Sequence, residues 1–272
     1  MSPLPDMNRI VGSRDLLLLT LDTLRFDVAR ALWQDGRTPN LAALLPEAGW
    51  EERHSPGSFT YSAHAAFFAG FLPTPARPGK HPRLFALRFE GSETTSPGTC
   101  VLDAPDIVTG LAGRGYHTVC IGGVGFFNRK NPLGRALPDL FAESHWSPAL
   151  GVTDPGSTRN QVRLAVEILG RVDRPVFLFL NVSALHQPNR FYVSGAEEDT
   201  LASHAAALEY VDGELPPLFE ALRCRGRAFC IVLSDHGTAY GEEGFSGHRL
   251  AHPTVWTVPY AHFMLGDPPE EP

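Results

Sequence analysis

Short, nearly continuous apolar runs punctuate the chain at 16–21 (LLLLTL), 117–121 (HTVCI), 176–182 (VFLFLNV) and 229–233 (FCIVL), with a fifth over 258–265. Runs of strand length that lack polar alternation predict strands covered on both faces. Between them the apolar spacing turns helical over 38–47, 60–69, 106–114 ending at Gly115, 158–170 and 202–222. Pro216 and Pro217 divide the last of these, because proline removes a helix donor and clashes with the preceding turn. Strands alternating with helices predict an α/β three-layer sandwich around a mostly parallel central sheet. The stretches 71–100 and 125–157, rich in Gly, Pro, Ser and Thr, read as long connections, and the closing PPEEP reads as a frayed tail.

Composition adds little to this picture. The 272 residues are 43% hydrophobic and 19% charged, enough to bury the core of one large domain, and no repeat or linker divides them. The 26 glycines and 24 prolines are spread along the chain without a period, which fits a loop-rich globular protein. A formal net charge of −7 and the absence of a basic block argue against a nucleic-acid partner. Arg77, Lys80, Arg83 and Arg88 read as a solvated scatter. The amino-terminal residues lack a charged prefix leading into an apolar segment, and no run is long enough to span a bilayer. Cys100, Cys120, Cys224 and Cys230 have no paired zinc spacing and read as reduced thiols. The expectation from these features is a cytoplasmic location without membrane attachment.

The chemistry follows the apolar runs. LLLLTL leads into Asp22, VFLFLNV leads into a segment carrying His186, and FCIVL leads into Ser234, Asp235, His236 and Gly237. In open α/β sheets the functional crevice lies beyond the carboxyl ends of the strands, so three such ends delivering Asp, His and Asp-His carry more weight together than singly. Each has a structural alternative: Asp22 as a cap, His186 as a partner for loop backbone, and Asp235–Gly237 as a tight turn. Carboxylate oxygen and imidazole nitrogen are both ligands for zinc or manganese. Thr60 opens the helical pattern SFTYSAHAAFFAGFLP either as a cap or as a nucleophile. A threonine hydroxyl needs a base or a metal to act as a nucleophile, and a helix start beside it would offer free backbone N–H groups to an anion.

Taken in order, these segments resemble the alkaline phosphatase/sulfatase superfamily. LLLLTLDTLRFDV is similar to its first strand and metal-binding aspartate, TPNLAALLPEAG to the segment that follows, TYSAHAAFFAGFLP to the nucleophile segment, LSDHG to a late pair of metal ligands, and GEEGFSGH and VPYAHFML to the closing motifs. The resemblance implies an alkaline-phosphatase-like core, with Thr60 as nucleophile, His64 at the Arg/His position behind it, and a divalent ion, zinc or manganese, held by Asp22, Asp235 and His236. Thr60 and His248 join that ligand set in the same comparison. His248 and His186 either complete the metal shell or contact the transferred group.

Three departures narrow this expectation. Thr60 cannot be oxidised to the formylglycine that sulfatases carry; the usual Gly-Lys is Gly122-Gly123; and Val182 stands where a second metal site would place an aspartate before His186. Asp27, Asp212, His204 and His252 are the remaining candidates for a second site. Arg25 reads as a surface ion pair. The expected activity is hydrolysis, or transfer, of a phosphate ester, phosphodiester or phosphonate on a small molecule or modified peptide. The alternatives are a sulfatase-like hydrolase without formylglycine and a metal-binding accessory protein of a modification pathway. One catalytic domain over residues 1–272, without the family's usual C-terminal subdomain, is the expected organisation.

Overall fold

The computed structural model describes residues 4–90 and 94–266; the PPEEP tail lies outside them. Among the described residues an eight-stranded sheet forms the middle layer. From one edge its order is Thr74–Pro75, Glu51–His54, Thr257–Leu265, Ala228–Leu233, Asp15–Leu21, Val176–Val182, His117–Ile121 and Glu143–His145. The five strands from Ala228–Leu233 to Glu143–His145 run parallel, while the three at the other edge pair antiparallel. All five expected strands are present within one residue of their predicted limits.

Every residue of Asp15–Leu21, Val176–Val182 and Ala228–Leu233 is buried, as strands covered on both faces require. Successive side chains point to opposite faces, and the core divides accordingly. Leu17, Leu19, Leu178, Leu180 and Val232 pack under helices Phe26–Gln34, Ser157–Arg171, Leu201–Glu214 and Pro216–Arg225. Leu16, Leu18, Phe177, Phe179 and Ile231 pack under Thr60–Phe68 and Ile107–Gly113 on the other face. The three-layer sandwich predicted from the sequence is therefore observed, and the prolines split the last long helix as expected.

The helices depart from expectation in several places: short ones at Met7–Ile10, Pro132–Ala136 and Pro253–Trp256 are additional, and two larger differences have a clear cause. The segment predicted as helix over 38–47 keeps only Pro39–Ala42, because Pro46 disfavours helical backbone at the residue before it. Conversely, no helix is predicted over Phe26–Gln34, yet Phe26, Val28, Ala29 and Leu32 form one buried stripe there. The four cysteines are free, and Cys100, Cys120 and Cys230 are buried.

Candidate active site

Parallel register brings the two acidic strand ends together. Thr20 pairs with Leu233, so Asp22 and Asp235 each stand two residues beyond the same rung of adjacent strands. One ligand atom from each of Asp22, Asp235 and His236 lies within 4.8 Å of the others, and all three side chains are fully buried. Gly237 follows because an added Cβ would stand 1.9 Å from the Thr254 carbonyl oxygen, so this turn admits no side chain.

The polar partners are arranged unevenly. Asp235 Oδ1 accepts from the Thr23 and His236 backbone N–H groups at 3.2 and 3.0 Å, and Asp22 Oδ2 accepts from Asn181 Nδ2 at 2.9 Å. Asp22 Oδ1 and Asp235 Oδ2 are buried with no hydrogen-bond partner. An unsatisfied buried carboxylate oxygen costs free energy, and two such carboxylates whose ligand atoms cluster with His236 suit an external cation. The carboxyl groups respond accordingly: burial raises Asp235, and burial followed by the neighbouring Asp235 charge raises Asp22. Burial lowers His236, which keeps its imidazole neutral as ligation requires. His236 Nδ1 bonds the Gly237 carbonyl at 2.9 Å, which leaves Nε2 facing the cluster. These donors suit one divalent ion.

Thr60 is the first residue of its helix, and the cap position belongs to Phe59 without a side-chain cap bond. Its hydroxyl therefore does no capping. Thr60 Oγ1 lies 3.5 Å from Asp22 Oδ2 and 3.4 Å from His236 Nε2. Ala63, Phe67 and Phe68 bury the helix against the sheet and aim its amino end at the strand ends. His64 sits behind it, bonding the Thr60 carbonyl through Nδ1 at 2.7 Å and Thr20 Oγ1 through Nε2 at 3.2 Å. Burial holds its pKa down at about 3, so a neutral His64 braces the helix start among Phe67, Phe127 and Phe179.

His248 and His186 lie beside the cluster. The His248 ring is 4.7 Å from that of His236 and 5.4 Å from that of His186. Burial, then the neighbouring histidines, lower His248 to about 3. His186 bonds the Gln187 carbonyl through Nδ1 at 2.5 Å. Thr60, His186 and His248 open together onto a cavity of about 690 Å³.

The candidates for a second site have other roles. Asp212 accepts from the Asn40 and Leu41 backbone N–H groups and anchors Pro39–Ala42; His252 Nδ1 accepts from Thr254 N; His204 Nε2 accepts from Arg25 N. Val182 lies in the core. Asp27 pairs with Arg25, which is 4% exposed and also pairs with Glu242, so the expected surface link is instead a buried clamp. Sequence reasoning missed Asn181, whose polar side chain inside an otherwise apolar strand is itself the signal. It also missed Arg249 at the cavity mouth. The Gly122-Gly123 departure has a steric basis: a Cβ on Gly123 would approach the Asn181 carbonyl oxygen to 2.5 Å.

This strand-end cluster on a three-layer sheet defines an alkaline phosphatase superfamily core. The sulfatase family model matches residues 14–261, and the chain belongs to that family. No curated protein matches it. Among solved structures, it is similar to the C-terminal periplasmic domain of the phosphoethanolamine transferase EptC from Campylobacter jejuni, with TM-score 0.61, 15% identity, 92% of this chain and 79% of that chain covered. It is also similar to the EptC periplasmic domain from Escherichia coli in complex with Zn, with TM-score 0.60, 13% identity and coverages of 92% and 72%. The integral membrane transferase EptA from Neisseria meningitidis gives TM-score 0.60 and 16% identity over 93% of this chain, which spans 48% of that one. These likenesses establish the fold. The periplasmic setting of such domains overturns the cytoplasmic expectation, which rested on the missing export signal, the lack of a spanning run and the reduced-thiol reading. Among the described residues no helix is long and apolar enough to cross a membrane.

Proposed function

We propose that this protein is a metal-dependent hydrolase or transferase of phosphate-type esters, with Thr60 as the nucleophile. The observation that carries the proposal is the fully buried cluster of Asp22, Asp235 and His236, in which one carboxylate oxygen of each aspartate lacks a hydrogen-bond partner, with the Thr60 hydroxyl beside Asp22 Oδ2 and His236 Nε2. Asp22, Asp235 and His236 would hold the ion, with Thr60 and His248 as the further candidates beside it. Zinc or manganese suits this mixed oxygen and nitrogen set better than calcium, which favours oxygen alone. When bound, the cation supplies positive charge that favours the Thr60 alkoxide and charge on the phosphoryl oxygens.

Thr60 then attacks phosphorus in line with the leaving oxygen, forming a P–O bond to Oγ1 as the bond to the leaving alcohol breaks. The exposed N–H groups of the helix's first turn complement the non-bridging oxygens. His186 and His248 face the same space and hydrogen-bond those oxygens or the leaving group, while the departing alkoxide takes its proton from water in the cavity. Water or a second alcohol clears phospho-Thr60 and restores the hydroxyl.

Threonine at the nucleophile position weighs for phosphorus over sulfur, since it cannot supply the sulfatase aldehyde. The test combines metal analysis with turnover of aryl phosphate and phosphodiester probes by wild-type and Thr60→Ala protein. The expected result is one equivalent of divalent metal and turnover lost in the variant. Absence of bound metal, or a variant equal to wild type, overturns the proposal in favour of an accessory role.

A further inference from the structure

The cavity beside Thr60 is lopsided in both polarity and charge. Val124, Phe126, Leu133 and Val152 supply an apolar wall, and Leu133 is 49% exposed at its rim. Among the described residues lining the cavity none is Asp or Glu, and Arg249 is the side chain carrying full charge. Two attachments place Arg249. Its backbone N–H donates to the Ser58 carbonyl at 2.8 Å, with φ at 66°, and its guanidinium lies 5.2 Å over the Phe59 ring. Phe59 in turn lies 6.1 Å from the Phe126 ring, so Arg249 and the apolar wall share one aromatic support.

An entering ammonium group would find no carboxylate there. The face of Phe59, which could otherwise offer a cation–π contact, already holds Arg249. Like charge without compensation disfavours the wrong partner, whereas an apolar arm gains from burial against the wall. We infer that Arg249 and the wall of Val124, Phe126, Leu133 and Val152 select phosphate-type esters of an uncharged apolar or aromatic alcohol, and reject those of an amino alcohol. Arg249 is then a specificity determinant, and its charge is the feature that separates the two classes.

This inference rests on the phosphate-ester reading of the Thr60 site, and binding of non-hydrolysable phosphonates separates the two. Calorimetric titration of the zinc-supplemented protein with phenylphosphonate and with 2-aminoethylphosphonate measures the preference without requiring turnover. Phenylphosphonate should bind at least about tenfold more tightly, a ratio expected to shrink or invert in Arg249→Glu. Leu133→Ser should weaken phenylphosphonate about threefold while leaving 2-aminoethylphosphonate unchanged. Arg249 and Leu133 are both exposed, and unchanged melting curves would show that the variants fold. Equal binding of the two phosphonates by wild type, or an unchanged ratio in Arg249→Glu, overturns the inference alone. Failure of both phosphonates to bind overturns the phosphate-site reading and this inference with it.

Discussion

The two ends of the strand Asp15–Leu21 treat a buried acid in opposite ways. At the amino end Asp15 is fully answered by protein: it accepts from Val176 N at 2.8 Å and from Arg225 Nε at 2.7 Å, and Arg225 also bonds the Leu169 and Arg174 carbonyls. At the carboxyl end Asp22 meets a second carboxylate, and an oxygen of each has no partner. Six residues of continuous core separate a closed charge pair from an open one. Burial alone therefore says nothing about function; the state of the partners does. A buried acid with a complete set of partners is structural, and one left incomplete waits for a ligand.

The largest effect that would sharpen this contrast is catalytic. Thr60→Ala, beside the open end, should reduce turnover of aryl phosphate probes at least about 10³-fold with little change in melting temperature. Next comes metal affinity. Asp235→Asn should weaken binding at least about a hundredfold in a chelator competition, whereas Asp15→Asn should leave it unchanged.

The same pair of substitutions should move metal-free stability in opposite directions. Asp15→Asn leaves the half-buried Arg225 without its carboxylate and should cost about 2 kcal/mol, a fall of roughly 4–8 °C in melting temperature. Asp235→Asn removes an unwelcome charge and should leave the metal-free melting temperature at neutral pH equal or higher. A fall of similar size at both ends would break the comparison.

The smallest effect is a pH dependence. The native Asp22 and Asp235 carboxyls sit above their ordinary value of 3.8, so the metal-free fold keeps protons that the unfolded chain has released. That contribution is present in acid and is lost as pH rises from the unfolded value toward neutrality. Metal displaces these protons, so the gain in melting temperature on adding zinc should grow between pH 5 and pH 8, by roughly a few degrees. A gain that shrinks over this interval would contradict the raised carboxyls.

Much of the architecture was already readable in the amino-acid pattern. The apolar runs fell within a residue of the observed strands because a strand buried on both faces leaves a local trace. The helix Phe26–Gln34 escaped because its stripe follows the aspartate segment without a capping side chain at Arg25. At the site, Asp22, Asp235, His236 and Thr60 were all nominated from their places at strand and helix ends. Asn181 and Arg249 were not, since one asparagine within a strand and one arginine on a loop have many ordinary uses.

The sequence by itself determined which side chains stand at the ends of the elements, and it excluded an aldehyde at position 60. Periodicity and residue chemistry are local properties, and one chain is enough to show them. Only the tertiary structure decided that Asp22 and Asp235 share a rung, that Asp212 and His204 are diverted to structural bonds, and that Arg25 is buried rather than superficial. Those facts depend on strand order and register, which place residues 213 positions apart within one small cluster. No local pattern encodes that distance, because it arises when parallel neighbours pack edge to edge.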